Sequence, residues 1–303
     1  MRRAALVTSF IVVLGLFVGG PAAADPMCGE TIHASVKLTH DVGPCSSGGL
    51  TIGADHIVLN LNGFKILGEA GPGDGNGVTA SSTTGTVIEN GTIADFDEGV
   101  SLEGGSGTRL SRVDLLGNRG DGVTTGDGLV AFSGSSGITI THCLFEGNGP
   151  ITGAQFSPTV TNVTITRTTF RDNEGDGLEL LAGGTNVVKK VRAEGNSGIG
   201  LNIGGTRIEV VSNTANENGF ASGGVGIFVF ASSGPVARNV ANGNGGDGIV
   251  VSLASADLHL SRNKAKRDGQ VTTAAFGLVD DNPSCGTDVW RHNKGTRNQS
   301  CIH

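Results

Sequence analysis

Apolar residues return along this chain in a fixed frame set by polar anchors. Align it on Asp95, Asn118, Asn148, Asn173, Asn196, Asn218, Asn244, Asp268 and Asn298, which lie 22 to 30 residues apart. Eight positions before each anchor stand Val87, Leu110, Ile140, Ile165, Val188, Val210, Val236, Leu260 and Trp290, all apolar. Three before stand Leu115, Phe145, Phe170, Ala193, Ala215, Ala241, Ala265 and Gly295, with Thr92 as the polar exception. Short strands whose alternate residues point inward produce this spacing. One such coil cannot bury its own inner face, whereas stacked coils build a continuous core. The pattern predicts an all-β, right-handed parallel β-helix of about nine or ten coils, right-handed because parallel crossovers take that hand. A leucine-rich repeat has a similar period but needs a Leu frame that is missing here.

Five positions before the anchors, Asn213, Asn239, Asn263 and Asn293 suggest an internal amide ladder, hydrogen-bonded from coil to coil. Cys143 falls in the same column beside Val, Thr and Asn, which reads as a buried structural thiol. Trp290 falls in the apolar column of the last coil, where a cap is needed against edge-to-edge association. Five coils carry extra residues, at 69–76, 119–128, 149–155, 219–226 and 269–277. All fall at one corner, predicting a lip along one side of the helix.

Composition agrees. Of 303 residues 52 are Gly, about one in six, against a usual share of about 7%. Each Gly costs a helix about 1 kcal/mol relative to Ala, so a mainly helical protein is excluded. Collagen is excluded by the absence of an every-third Gly register. Residues 1–24 read as a secretory signal: Arg2 and Arg3, the apolar run Ala4 to Val18, and Ala22-Ala23-Ala24 before cleavage at Asp25. The remainder, 25–303, reads as a single domain without a second spanning segment, secreted or periplasmic. In that oxidising setting Cys28 with Cys45, and Cys285 with Cys301, each close a short loop and suggest a disulfide at either end.

The segment Cys28-Gly29-Glu30 through Leu38, Asp41, Cys45, Gly49-Leu50, Ile52-Gly53-Ala54-Asp55 and Val58-Leu59-Asn60-Leu61-Asn62-Gly63 resembles the N-terminal region of bacterial secreted right-handed parallel β-helix proteins. Asn90-Gly91-Thr92-Ile93 and the later Asn-x-Gly-x-Gly-Ile/Leu turns resemble the repeats of that broad, pectate-lyase-like group. The resemblance implies the fold and favours a polysaccharide ligand, but not a reaction. The polygalacturonase motifs are absent apart from Asp280-Asp281, which precedes Asn282-Pro283 and reads as a turn beside the final disulfide. The Asp-Pro-His motif of mannuronan epimerases is absent too. Seven His and the lone mature Met27 form no cluster for a soft metal, and no cofactor is implied. The Gly-Asp-Gly triplets at 73–75, 120–122, 126–128, 175–177 and 246–248 read as turn chemistry rather than Ca²⁺ sites. Glu179, outward on its strand with Asn202 one coil on, is a catalytic candidate by position alone.

Net charge is −7, and −9 without Arg2 and Arg3. Against that balance, six positions before the anchors stand Arg112, His142, Arg167, Lys190, Ser212, Arg238, Arg262 and His292, expected on the outward side of the strand. Arg171, Arg192, Lys264, Lys266 and Lys294 extend the stripe, with Asp114, Glu146 and Glu194 opposing it. Stacked like charges repel unless an anionic partner supplies counter-ions, and Arg matches carboxylate and sulfate geometry. The ligand-binding candidates are therefore Arg112, His142, Arg167, Arg171, Lys190, Arg192, Arg238, Arg262, Lys264 and His292. Their expected ligand is an anionic polysaccharide. A solvated face that resists aggregation is the competing explanation, and a lyase, epimerase or hydrolase is the alternative function. A structural or surface-interaction protein without a small ligand is the third. Nucleic acid is disfavoured because the chain has no Tyr and one Trp for base stacking.

Overall fold

A computed structural model describes residues 25–71, 73–121, 126–220, 222–253, 255–271 and 275–303. The expected export signal, 1–24, lies outside them. The chain is a parallel β-solenoid of about ten turns. Among the described residues the helical content is one 3₁₀ turn, Pro283–Cys285. Each full turn contributes a strand to an eleven-stranded sheet, which runs from Thr31–Ile32 through Glu98–Glu103, Asp176–Leu180 and Ile249–Val251 to Leu278–Asp280. We call this sheet A. The other two sides come from strand pairs such as Thr139–Thr141 with Leu144–Glu146, and Leu258–Ser261 with Lys264–Lys266. Every strand pairing is parallel, coil on coil.

The inward columns are the predicted ones with one slip. Leu110 pairs with Ile88 rather than Val87, and Leu115 with Ile93 rather than Thr92. The first anchor is therefore Phe96 in place of Asp95, and the Thr92 exception disappears. Ile88, Leu110, Ile140, Ile165, Val188, Val210, Val236, Leu260 and Trp290 are all essentially inaccessible. The Trp290 indole N–H donates to Asp280 Oδ2 at 2.8 Å, and Asp280 Oδ1 accepts from the Asn282 amide at 2.9 Å. Asp280 is thus a buried acceptor that seats the C-terminal cap. Asn298, the last anchor, exchanges hydrogen bonds with the Asp280 backbone instead of joining the repeat.

Two buried amide ladders run along the stack. The expected one links Asn213, Asn239, Asn263 and Asn293, each Nδ2 donating to the next Oδ1 at 3.0–3.1 Å. A longer one follows the anchors through Asn118, Asn148, Asn173, Asn196, Asn218 and Asn244 to Asp268. Each Nδ2 also donates to a backbone carbonyl, as Asn148 does to Leu115, so no buried amide hydrogen is wasted.

Against the longer ladder stands a column of glycines: Gly77, Gly99, Gly128, Gly153, Gly177, Gly200, Gly226, Gly248 and Gly277. A Cβ on Gly128 would lie 2.5 Å from the Gly153 carbonyl oxygen and 2.9 Å from Asn148 Nδ2. The same conflict recurs at Gly177 with Gly200 and Asn196. Seven of these glycines, from Gly99 to Gly248, thus leave the space that the ladder side chains occupy. Disulfides Cys28–Cys45 and Cys285–Cys301 hold the two ends, and no described helix is long and apolar enough to cross a membrane.

Candidate functional site

The ten candidate residues are all exposed, but the eight-residue column is not on a strand face. Arg112, His142, Arg167, Lys190, Ser212, Arg238, Arg262 and His292 each occupy the single corner residue between paired strands, with φ between 51° and 60°. Asn90 begins this column. Strand register stacks these corners directly, coil upon coil. A left-handed conformation costs a side-chain-bearing L-residue about 1–2 kcal/mol relative to its usual backbone. Glycine would avoid that cost.

The next corner of each coil is an internal control. There the left-handed residues are Asp95, Gly117, Gly147, Asp172, Gly195, Glu217, Gly243 and Arg267. Same backbone, different occupants: the second corner holds four glycines and three acids with Arg267 last, whereas the first holds Arg, Lys or His in seven of its eight places from Arg112 to His292. The first corner contains no glycine.

The flanking columns divide the stripe. In its N-terminal part, Arg171 donates to Glu146 at 2.6 Å and Arg192 to Glu194 at 2.8 Å. The Glu146 contact raises the Arg171 pKa. Arg112 donates to Asn90 at 2.6 Å, and Glu89 and Asp114 stand close by in register. In the C-terminal part, Arg238, Arg262, Lys264, His292 and Lys294 surround Val240 around a depression of about 370 Å³. None of these five forms an ion pair among the described residues. The register columns from Arg238 to Lys294 hold no acid: Ala237, Ser261 and Arg291 on one side, Val240, Lys264 and Lys294 on the other. Below this part runs the shorter Asn ladder. Each corner residue there is followed at once by a ladder member: Ser212-Asn213, Arg238-Asn239, Arg262-Asn263, His292-Asn293. In the N-terminal part the same place holds Val113, Cys143, Thr168 and Val191.

Sheet A carries the other chemistry. Burial, then the charge of Asp127, pushes Glu98 up to about 7. Burial also pushes Asp127 and Asp176 up to about 6, with Glu179 adding to each. Glu179 accepts from Gln155 Nε2 at 2.7 Å and Asp127 from Thr152 Oγ1 at 2.7 Å. The Gly-Asp-Gly aspartates accept backbone amides: Asp127 from Thr152, Asp176 from Ile199, Asp247 from Phe276. Outward from here the sheet turns apolar at Phe228, Val250 and Val279. Four of the five inserted segments lead into sheet A strands at one corner, although 72, 122–125, 221 and 272–274 fall outside the described residues. The expected insertion 149–155 is mostly strand, since Thr152–Phe156 pairs in register with both neighbouring coils. Cys143 is buried, and burial pushes its thiol up to about 11.

Residues 151–265 match the family described as the right handed beta helix region. The Dettilon tailspike protein aligns at a TM-score of 0.58 with 14% identity, over 88% of this chain and 60% of the tailspike. A mannuronan C-5 epimerase A-module from Azotobacter vinelandii aligns at 0.55 with 15% identity, over 84% of this chain and 70% of the module. Pectate lyase Pel9A aligns at 0.50 with 16% identity, over 83% and 60%. No curated protein sequence matches. The family match spans 115 of the 303 residues, and together with these structures it supports a right-handed parallel β-helix fold. The tailspike and the lyase are both longer than the region this chain spans.

Proposed function

We propose that this is an exported protein that binds an anionic polysaccharide along its basic corner column, chiefly at the Arg238–Lys294 depression. The observation that carries the reading is the occupancy of the two corners. Cations persist where glycine would relieve backbone strain, and strain retained in this way points to function. In the C-terminal part they also lack acidic partners. The disulfides fit an oxidising compartment. Structures named as acting on uronate polymers share the fold, which supports the ligand class. Retention on an immobilised polyuronate tests it: binding weakens with added salt as charges are screened. It disappears in an Arg167→Glu, Arg238→Glu, Arg262→Glu variant that keeps its circular dichroism. Undiminished retention in that variant overturns the proposal.

A second reading places catalysis on sheet A, as a lyase, epimerase or hydrolase. The column Glu98, Asp127 and Asp176, with Glu179 beside it, favours it, because burial raises the first three toward neutrality, which suits proton transfer. It requires new unsaturated ends, new reducing ends or altered uronate stereochemistry, lost on Glu98→Gln or Asp127→Asn. A uronan panel that shows no such product rejects it.

A further inference from the structure

We propose that the ligand lies along the solenoid axis as an extended homopolymeric uronate, presenting one carboxylate to each coil. This rests on the anionic-polysaccharide reading above and specifies its geometry.

Arg238, Arg262 and His292 hold the same corner in three successive coils. Lys264 and Lys294, bridged in register, form a second row beside them, and Val240 closes its upper end. The depression runs between the rows. Neighbouring coils lie about 4.8 Å apart. An extended 1→4-linked hexuronate chain advances by a comparable distance per sugar. Successive sugars then meet successive coils without accumulating mismatch. Because an extended 1→4-linked chain turns neighbouring carboxylates to different sides, they reach the corner row and the lysine row in turn. A chain with acid on alternate sugars would leave every second coil unmatched. A chain laid across the coils would meet only one residue of each row, such as Arg262 with Lys264.

The cations are held at that spacing by the buried ladder. The Asn239 backbone N–H donates to Asn263 Oδ1 at 2.9 Å, and that of Asn263 to Asn293 Oδ1 at 2.9 Å. Each of these amides follows a corner cation directly in the chain. The backbone of the row is therefore ordered before any ligand arrives, which reduces the entropic cost of association. Upward, the row is interrupted at Ser212, beyond which Lys190 and Arg167 continue in register. Ser212 already has the φ of its Arg neighbours, 60°, so an Arg fits that backbone.

Calorimetry on the purified protein with oligouronates from dimer to hexamer tests the geometry. A strictly alternating uronate–neutral oligomer of equal carboxylate number is the control. Affinity should rise to the trimer and then level off, with the alternating oligomer weaker by about tenfold. Ser212→Arg joins Lys190 and Arg167 to the row, so affinity should keep rising through the hexamer, and binding of the long oligomers should tighten by about tenfold. Ser212→Lys provides a second variant, and circular dichroism confirms that each folds. Binding without length dependence, equal affinity for the alternating oligomer, or an unmoved levelling point in both folded variants overturns the axial geometry alone. Absence of binding to every uronate overturns the function itself.

Discussion

The two halves of the basic column share a backbone and differ in everything around it. From Arg112 to Lys190 the corner residues sit above Val113, Cys143, Thr168 and Val191, and Arg171 and Arg192 in the flanking columns are held by glutamates. From Ser212 to His292 they sit above an amide ladder, and the flanking cations have no acid beside them. Like charges in stacked coils destabilise each other. The N-terminal half relieves this internally. The C-terminal half leaves it unrelieved on a more rigidly bonded base. That combination suits a surface whose counter-charge comes from outside the chain.

Four measurements break or sharpen this contrast. The largest effect is expected from Asn239→Val, which copies the N-terminal half's chemistry into the other half. It leaves Asn213 donors and the Val210 carbonyl without partners, at about 1–3 kcal/mol for each buried group and roughly 3 kcal/mol or more in total. A large fall in thermal midpoint is expected, and a shift within error would show that the ladder is not what holds the row. Next, Arg238→Ser with Arg262→Ser should weaken polyuronate retention by at least about tenfold. Arg171→Ser with Arg192→Ser should change it less than about twofold, because those cations are already paired. Equal losses would erase the distinction between the halves.

The third measurement is pH. Glu98 is raised to about 7 and Asp127 to about 6 by burial. The folded state therefore holds protons that the unfolded chain has released. Their effect favours folding below the ordinary carboxylate range, and it is lost as pH rises through about 6 to 7. Hydrogen exchange in Glu98–Glu103 and Leu129–Phe132, corrected for intrinsic rates, should accelerate over that window. The effect should shrink in Glu98→Gln. The smallest effect belongs to Cys143→Val, a near-isosteric change where no ladder runs, expected to alter stability by less than about 1 kcal/mol. In the unsubstituted protein the thiol should resist alkylation at pH 8, and rapid labelling would contradict its burial.

How far these features were legible depends on the range over which each is encoded. The solenoid was legible because its inward positions recur in every coil. The slip at the first anchor had a visible signal: Thr92 alone broke an apolar column, and a shift of one residue to Ile93 repairs it, since one residue moves a side chain to the other face. Asp95 misled because acids and glycines share the second corner. The Asn213–Asn293 ladder repeats one residue type and was readable. The longer ladder was hidden among the anchors, because its meaning depends on the glycines packed against it. The left-handed corner was not readable, since five of its residues are Arg or Lys, which have no preference for that conformation. Nor were the Arg171–Glu146 contact and the Arg238–Lys294 depression, which depend on where long side chains reach across coils.

Asp268 gives the longer ladder a direction. Every amide before it donates toward the C-terminus and accepts from the N-terminal side, so the side-chain dipoles align head to tail, much as peptide dipoles do in a helix. An ionised carboxylate accepts and cannot donate, so Asp268 both neutralises the positive end and stops propagation. It acts as a terminator written into the repeat. A coil duplicated upstream of it should splice into the ladder and lengthen the rod, whereas one placed after it would have no amide to continue from.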